Sequence, residues 1–376
     1  MTDHLSRSLE IGDRTIDDVG DCYVIAEIGH NHQGSVETCK TMFRAAAEAG
    51  AKAVKLQKRD NRSLYTRAFF DKAYNGENSF GRTYGEHREA LEFDAFEYAE
   101  LMAYASELGV AMFATAFDLP SVEFLEQFDM PAYKVASADV NNHPLLREVA
   151  RTRRPIIFST GGAAIEEVRR AHEVLSEETD QLCVLQCTAG YPAAWDELDL
   201  RVIDTYRRIF PSTVVGLSSH DNGIAMAVAA YVLGARVVEK HFTLDRTMRG
   251  SDHPFSLEPQ GLRKMVRDLG RARLALGQGI KRVYDSERAP IEKMSKKLVA
   301  ARRLEAGCVL AVEDIALRSP GNGLAPAYLD RVVGRRLKTA LEPDGDLTLE
   351  LVEEVTPPPS PASPARAERK RKRVRV

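Results

Sequence analysis

The sequence predicts an α/β protein, a (β/α)8 TIM barrel followed by a small C-terminal domain. Three observations predict this fold: eight short apolar runs, helical patterns between them, and a different pattern after residue 296. Continuous apolar strands are typical of a parallel sheet that is covered on both faces. Eight βα units within about 280 residues agree with a TIM barrel in number and in length.

The predicted strands follow one another in chain order. They comprise residues 22–28, 53–57, 111–117, 132–137, 155–160, 182–187, 214–219 and 236–242. Segments with helical periodicity, such as residues 35–50 and 223–235, separate them. A doubly wound open sheet is the alternative, and it requires a glycine-rich phosphate fingerprint after its first strand. The run AEIGHNHQG, which follows the first strand here, does not fit that fingerprint.

Composition excludes several classes of protein. Of the 376 residues, 44% are hydrophobic and 28% are charged, which is ordinary for a soluble globular protein. Because no run of about 18 apolar residues occurs, we expect no membrane span. The polar N-terminal segment is not expected to act as a secretory signal. The five cysteines are scattered and form no CxxC pair, which predicts a cytoplasmic protein.

Charge is distributed unevenly along the chain. Residues 366–376 carry seven Lys or Arg and one Glu, a net +6, and since the whole chain carries −3, the remainder carries −9. An acidic body argues against nucleic-acid binding. We interpret the Pro/Ser-rich and basic segment 356–376 as a disordered, solvated tail, with a nuclear signal or polyanion contact as the alternative.

The chain is expected to divide into two domains. The barrel is predicted over residues 1–285, a linker over 286–296 and the second domain over 297–355. A domain of about 60 residues is near the lower limit for folding alone. We therefore expect it to pack against its own barrel or a neighbour's.

Polar side chains stand at the ends of nearly all the predicted strands, where TIM barrels carry their catalytic groups. These residues are Glu27, Lys55, Gln57, Thr115, Asp118, Lys134, Ser137, Ser159, Thr160, Thr188, Tyr191, Ser218, Ser219, His220, Glu239, Lys240 and His241. Because burying charge is costly, a ring of such groups predicts an active site at this face.

The connection between the second strand and its helix, residues 58–93, is far longer than the usual loop of about 2–6 residues. Long connections at this face of a barrel are often lids or substrate clamps. Four of its polar groups, Asn78, Tyr84, His87 and Arg88, could bind a sugar or a phosphate. A surface elaboration without chemistry is the alternative.

Two histidines end neighbouring strands of the predicted barrel. His220 ends strand seven and His241 ends strand eight. Two imidazoles in such positions can share one ion and leave coordination positions open, as a catalytic metal requires. Imidazole and water suit Mn²⁺, Zn²⁺ and Fe²⁺ about equally, so the residues alone do not choose the metal.

An ordered series of short motifs runs through the chain. It comprises AEIGHNHQGS, KLQK, AYKVASAD, FSTGG, LQCTAGYP, GLSSHDNG, GARVVEKHFTLDR and GSDHPFSLEP. In order and spacing these motifs resemble those of the sialic acid synthase (N-acetylneuraminate synthase) family, over roughly residues 20–355. The second domain resembles that family's antifreeze-like (SAF) domain. The phrase SFGRTYGEHREALEF is more similar to the animal-type sialic acid phosphate synthases than to the short bacterial form.

The resemblance implies an enzyme with a defined reaction. It implies condensation of phosphoenolpyruvate with N-acetylmannosamine or its 6-phosphate, giving N-acetylneuraminate or its 9-phosphate and phosphate. It also implies a divalent metal, expected to be Mn²⁺ and held by His220 and His241. The family forms a homodimer in which each SAF domain caps the partner's barrel, so the same assembly is expected here.

The resemblance also implies roles for individual side chains. The residues expected to bind phosphoenolpyruvate are Lys55, Thr115, Lys134, Ser137, Ser159 and Ser218. The chemistry agrees, because this anion carries a phosphate and a carboxylate that need cations and hydroxyl donors. Glu27 is expected to move protons, with an ion pair to Lys55 as the alternative. The residues expected to bind the sugar are Gln57, Asp139, Tyr191, Asp252 and, from the partner's SAF domain, Arg318.

Four alternatives stay open at this point. The closest is a related synthase that uses a diamino-dideoxy sugar of the legionaminate or pseudaminate type. Another is a phosphoenolpyruvate aldol enzyme that makes a 3-deoxy-octulosonate or heptulosonate phosphate. A non-catalytic carbohydrate-binding protein would be expected to lose its metal ligands or lysines. A metal-dependent hydrolase would use the pair His30 and His32, but we interpret His32 instead as shaping the loop after the first strand.

Overall fold

The computed structural model describes residues 7–355 of the chain. These residues form two compact units that divide between Gln278 and Gly279. The sequence analysis placed this boundary at residue 285, and most of its expected linker is helix in the structure, over Asp285–Met294. The side chain of Glu287 accepts a hydrogen bond from the backbone N–H of Tyr284 and so stabilises the start of this helix. The expected tail, 356–376, lies outside the described residues.

A β-hairpin that the sequence analysis did not predict precedes the barrel. Its strands, β1 (Ser8–Ile11) and β2 (Arg14–Asp17), pair antiparallel. The side chains of Leu9, Ile11 and Ile16 are almost completely buried in the main core. Strands of four residues offer too short an alternation to be recognised by period alone.

Eight parallel strands follow and close into a barrel. They are β3 (Tyr23–Gly29), β4 (Ala53–Lys58), β5 (Ala111–Ala116), β6 (Tyr133–Val135), β7 (Ile156–Ser159), β8 (Leu182–Cys187), β9 (Val214–Ser219) and β10 (Val237–His241). Each strand pairs with the next, and β10 pairs with β3 to close the ring. The predicted TIM barrel is confirmed, and all predicted strand ends agree with the structure to within two residues.

Helices surround the barrel and fill the connections between its strands. In the first unit they are α1 (Val36–Ala49), α2 (Asn61–Leu64), α3 (Arg67–Phe70), α4 (Tyr84–Glu89), α5 (Ala95–Glu107), α6 (Leu119–Glu126), α7 (His143–Arg151), α8 (Ile165–Ser176), α9 (Val202–Ile209), α10 (Ala225–Val232) and α11 (Pro259–Leu276). In α1, the Ser35 side chain caps the first turn, Met42 and Phe43 are fully buried, and Gly50 ends the helix with φ +98°. Within residues 7–355, no helix is both long and apolar enough to cross a membrane.

The second unit has its own small core. It contains α12 (Asp285–Met294), β11 (Lys297–Ala300), β12 (Ile315–Arg318), α13 (Leu329–Val332), β13 (Arg336–Leu337) and β14 (Val352–Glu353). β11 pairs antiparallel with β12, and β13 pairs antiparallel with β14. The core consists of Leu298, Ala300, Leu304, Leu310, Val332, Leu337, Leu347 and Val352.

One glycine of β9 is required by close packing inside the barrel. A Cβ atom on Gly216 would lie 2.5 Å from both the Leu185 Cδ2 and the Val237 carbonyl oxygen. We expect Gly216→Ala to lower the free energy of unfolding by about 1–3 kcal/mol, because the backbone oxygen cannot move aside without disturbing the sheet. The matched control is Gly270→Ala in α11, where a Cβ has nothing within 4 Å. The free energies of unfolding would be measured by thermal and denaturant unfolding. If Gly216→Ala were as stable as the control, the role of packing at Gly216 would be contradicted.

Candidate active site

A cavity of about 800 Å³ lies at the C-terminal ends of the barrel strands. Most of the side chains predicted from the sequence line it together. These are Glu27, Lys55, Gln57, Thr115, Lys134, Ser137, Ser159, Tyr191, Ser218, His220, His241 and Asp252. Barrel closure therefore gathers on one surface residues that are more than 200 positions apart in the chain.

Two predicted sugar-binding residues lie elsewhere. Asp139 is on a turn whose neighbours Ala138 and Val140 line the cavity, but its own side chain does not and instead accepts a hydrogen bond from Asn142 (3.0 Å). Arg318 belongs to the second unit, where its Nε lies 3.5 Å from Asp344 Oδ1 and its side chain is largely exposed.

The long connection 58–93 forms part of the cavity wall. Its aromatic rings pack on one another, with Tyr84 contacting Tyr65, Phe69 and Tyr74. Of the four polar residues singled out in the sequence, His87 and Arg88 line the cavity. Asn78 instead accepts a hydrogen bond from the backbone N–H of Gly250 (3.0 Å), and the Tyr84 hydroxyl accepts one from Arg88 (2.8 Å).

Two lysines and two glutamates form a buried charge network in the cavity. The Lys55 Nζ lies 2.8 Å from Glu27 Oε2 and 3.7 Å from Glu239 Oε2. The Lys134 Nζ lies 3.9 Å from Glu239 Oε1. Each of the four residues is at most 6% exposed. Two positive and two negative charges offset one another, which allows the network to be buried.

The two carboxyl groups of this network have opposite pKa shifts. Burial raises the pKa of Glu239, but the Lys134 and Lys55 ammonium groups outweigh it and lower that pKa to about 2. Burial raises the pKa of Glu27, and the charge of Glu239 adds to the rise although Lys55 opposes it. A permanent carboxylate beside a carboxyl that can take up a proton is the arrangement that acid–base chemistry uses.

Hydroxyl groups accompany both lysines. The Lys55 ammonium donates to Thr115 Oγ1 (2.8 Å), and the Lys134 ammonium donates to Ser159 Oγ (2.7 Å). The Ser218 hydroxyl donates to Glu239 Oε1 (3.0 Å). Cations and reorientable hydroxyls converging on one cavity form a set of donors that suits a multiply charged anion.

The two predicted metal ligands lie side by side. The ring centroids of His220 and His241 are 5.4 Å apart. The His220 Nδ1 lies 2.9 Å from the carbonyl oxygen of Thr188. Because a carbonyl only accepts hydrogen bonds, Nδ1 is the donor in this contact, which leaves Nε2 as the ring nitrogen available to a ligand.

His241 presents a ring nitrogen that is free to bind a ligand. Its buried Nδ1 makes no hydrogen bond to any described residue, and Asp252 Oδ2 lies 3.7 Å from it. Burial lowers the pKa of His241, which keeps the ring neutral and able to coordinate a metal. Two such imidazoles fit a divalent metal with open positions. Residues 7–355 contain no cluster of three or more His, Cys, Asp or Glu arranged to hold a metal, so any ion here would have few protein ligands.

Three cavity residues were missed as site residues. Glu239 is two positions before His241 on β10, and alternation along a strand directs both side chains to the same side. Lys240, between them, pairs with Asp221 instead (2.9 Å). His30 and Arg59 each come directly after a barrel strand, so extending the strand-end rule by one residue could have found them.

Comparison with known families settles the relationship of this chain. Residues 42–281, which contain seven of the eight barrel strands, match the NeuB family. The chain belongs to the NeuB family. Residues 297–353 of this NeuB-family chain match the SAF domain. The predicted sialic acid synthase resemblance and the predicted SAF domain are both confirmed.

Several relatives of this NeuB-family member are synthases. It is 38% identical to the N-acetylneuraminate-9-phosphate synthase of Homo sapiens over 88% of this chain and 93% of the human protein. It is 33% identical to the N,N'-diacetyllegionaminic acid synthase of Legionella pneumophila, over 88% of this chain and 95% of that protein. The crystal structure of the N-acetylneuraminic acid synthetase from Leptospira borgpetersenii superposes with a TM-score of 0.67 at 29% identity, covering 77% of this chain and 97% of that one.

Proposed function

We propose that this protein condenses phosphoenolpyruvate with N-acetylmannosamine or its 6-phosphate, giving N-acetylneuraminate or its 9-phosphate and inorganic phosphate. The observation that carries this proposal is the buried pair Lys55 and Lys134 in the same cavity as His220 and His241. The similarity to the human N-acetylneuraminate-9-phosphate synthase supports the same reaction. We also propose a cytoplasmic location, which the free cysteines support because thiols persist in reducing compartments.

The lysine network is proposed to bind phosphoenolpyruvate. Lys55 and Lys134 supply fixed positive charge, and their ammonium groups already donate to hydroxyls that can turn toward an anion. The proposed donor set is Lys55, Thr115, Lys134, Ser137, Ser159 and Ser218. Glu239 holds the two ammonium groups near each other, so that little reorganisation is needed when the anion enters.

His220 and His241 are proposed to hold a divalent metal, Mn²⁺. When bound, such an ion supplies Lewis acidity at the aldehyde oxygen of the sugar. The Thr188 carbonyl orients His220, and the Tyr191 ring packs against the same imidazole with its centroid 4.2 Å away. These contacts limit rotation of His220 and direct its Nε2 into the cavity.

The proposed reaction forms one carbon–carbon bond and breaks one carbon–oxygen bond. C3 of phosphoenolpyruvate attacks the aldehyde C1 of the open-chain sugar, and the aldehyde oxygen takes up a proton to become a hydroxyl. Water adds to C2 of the resulting oxocarbenium ion, and the C2–O bond to phosphate breaks to leave a 2-keto acid. One proton of that water offsets the proton taken by the hydroxyl, and the other leaves with phosphate.

Glu27 is proposed to move the proton in these steps. Its Oε1 accepts a hydrogen bond from Gln57 Nε2 (2.7 Å), and its Oε2 lies beside Lys55. The raised pKa of Glu27 favours proton uptake, which a general acid–base group requires. The sugar is proposed to bind Gln57, Tyr191 and Asp252, with Arg318 contributed by a partner subunit.

A substrate panel tests the proposed function. Phosphate release from phosphoenolpyruvate would be measured with N-acetylmannosamine, its 6-phosphate, a diamino-dideoxy hexose, and arabinose 5-phosphate as the acceptor for an octulosonate synthase. Mass spectrometry of each product would identify the new carbon–carbon bond. We expect an N-acetylmannosamine acceptor to support the highest kcat/KM. Turnover restricted to arabinose 5-phosphate or the diamino-dideoxy sugar would overturn the assignment.

The SAF domain is proposed to cap the barrel of a partner subunit in a homodimer. A fragment of residues 1–278 retains all eight barrel strands, so it is expected to fold. We nevertheless expect it to lose most activity, chiefly in kcat/KM for the sugar, because barrel sites need water excluded. Circular dichroism would check its fold, and sedimentation would measure the oligomeric state of the full chain.

The control for this truncation is removal of residues 356–376 alone, which should change activity little. The proposal of a capping partner would be contradicted by a fully active 1–278 fragment. An intact enzyme that sediments as an active monomer would contradict it equally.

A further inference from the structure

Three cations or potential cations converge on one side of the cavity, at residues to which the proposed mechanism assigns no role. We call His30, Arg59 and Arg88 the arginine–histidine cluster. The Arg59 Nη1 lies 3.1 Å from His30 Nε2, and the Arg88 Nη1 lies 3.0 Å from His30 Nδ1. All three residues line the cavity, and Arg59 is only 8% exposed.

The hydrogen bonds of this cluster cannot all be satisfied. Burial, followed by the charges of Arg59 and Arg88, holds the pKa of His30 well below its usual value, so the ring is neutral. A neutral imidazole has one accepting nitrogen and one N–H, whereas a guanidinium group only donates. At most one of the two arginine contacts is therefore a hydrogen bond, and the other sets a donor against a donor. An acceptor that entered the cavity would relieve this conflict.

The charges of the two arginines are not neutralised by direct ion pairs. Among residues 7–355, no carboxylate forms an ion pair with Arg59 or Arg88. The Oε2 of the nearby Glu92 is held by Lys58 (3.1 Å) and by the backbone N–H of Arg59 (3.2 Å), and its Oε1 lies 3.8 Å from His30 Nε2. Glu92 and Asp252 act on the two guanidinium groups only at longer range, so an anion that bound between them would be stabilised.

Neighbouring contacts hold the arginine groups in place. The Arg59 guanidinium lies 3.7 Å above the Phe117 ring and donates to Gln57 Oε1 (2.7 Å). The Arg88 Nη2 donates to the Tyr84 hydroxyl (2.8 Å). Because their side chains are already ordered, little conformational entropy is lost when a ligand binds.

The cluster lies next to the residues proposed to bind the sugar. Gly29, directly before His30, is so close to them that a Cβ there would lie 3.3 Å from Gln57 Nε2 and 3.8 Å from Asp252 Oδ2. Arg59 is hydrogen-bonded to Gln57 itself. The two sets of cations have different direct partners: Arg59 and Arg88 contact His30, whereas Lys55 and Lys134 contact the network carboxylates and their hydroxyls. Gln57 links them, since it also donates to Glu27 (2.7 Å), and the arginine–histidine cluster lies on the sugar's side of this glutamine.

We propose that Arg59, Arg88 and His30 bind the phosphate group of the sugar, so that the preferred acceptor is the 6-phosphate of N-acetylmannosamine rather than the free sugar. This inference rests on the proposed function and names the substrate form within it. A phosphate dianion offers acceptors to both guanidinium forks, and paired N–H donors on one phosphate are the geometry that arginine favours. The ring N–H of His30 is a further donor to the same group.

The test compares the two acceptors under saturating phosphoenolpyruvate. The wild-type enzyme is expected to have a kcat/KM at least tenfold higher for the 6-phosphate than for N-acetylmannosamine. Arg88→Met should lower that ratio at least tenfold, and Arg88→Lys should lower it less because the charge remains. The matched control is Arg67→Met on α3 of the same connection, whose side chain is 96% exposed and which should keep the wild-type ratio.

The outcomes separate this inference from the proposed function. A wild-type enzyme that prefers the free sugar, or an unchanged ratio in Arg88→Met, would overturn the inference and leave the function standing. A rise in the KM for phosphoenolpyruvate with an unchanged acceptor ratio would overturn it by assigning the cluster to that anion. If neither sugar supported phosphate release, the proposed function would be overturned and this inference with it.

Discussion

Chelation of divalent metal should abolish phosphate release, and added Mn²⁺ should restore it. The cavity holds two imidazoles: His220 is oriented by Thr188, and the Nδ1 of His241 has no hydrogen-bond partner among residues 7–355. With only two protein ligands proposed, loss of either should weaken metal binding severely. We therefore expect His241→Ala to bind Mn²⁺ far more weakly and to lose most activity at metal concentrations that saturate the wild type.

Metal content and activity are to be measured on the same preparations. Electron paramagnetic resonance of Mn²⁺ titrations reports affinity independently of turnover. His143→Ala is the matched control, since His143 begins α7 and does not line the cavity. Full activity of the chelated enzyme, or wild-type Mn²⁺ affinity in His241→Ala, would contradict the proposed metal site.

Loss of the Lys134 ammonium should damage the use of phosphoenolpyruvate. The group is buried, donates to Ser159 and faces Glu239, so its removal deletes a donor to the anion and half of the positive charge beside that carboxylate. One charge-assisted hydrogen bond contributes about 1.5–3 kcal/mol, which corresponds to at least a tenfold loss. We expect Lys134→Ala to lower kcat/KM for phosphoenolpyruvate by at least that factor.

The kinetics should be measured by varying phosphoenolpyruvate at saturating sugar, and then by varying the sugar at saturating phosphoenolpyruvate. Lys264→Ala, an exposed position on α11, is the matched control and should behave as the wild type. A thermal unfolding curve for each variant separates loss of binding from loss of fold. Unchanged kcat and KM for phosphoenolpyruvate in Lys134→Ala would contradict the role proposed for the lysine network.

Much of the barrel could be predicted because its strands are local features. A strand such as β8 is an unbroken run of buried residues, LCVLQC, and its ends are visible in the sequence. The hairpin β1–β2 and helix α12 were not predicted, since both are short and lie in polar segments. The hairpin depends on packing of Leu9, Ile11 and Ile16 into the main core, and α12 begins at a cap formed by Glu287, and a periodicity analysis sees neither.

The strand-end rule also predicted most of the cavity lining, including Lys55, Lys134, His220 and His241. It could not distinguish a side chain that points into the cavity from one that points away. Asp139 was expected at the sugar and instead accepts a hydrogen bond from Asn142. Glu239 was seen only as a strand-end residue, although it lies near both lysines of the network.

Local sequence pattern accounts for where each strand begins and ends, for the order of the elements and for the face on which chemistry collects. Which side chains meet there depends on closure of the barrel, because closure brings together residues that are far apart in the chain. Glu239 of β10 comes near Lys55 of β4 and Lys134 of β6 only when the ring is complete. Likewise, the distances from His30 to Arg59 and Arg88 depend on the path of the connection 58–93, which packs through aromatic contacts that no period in the sequence encodes.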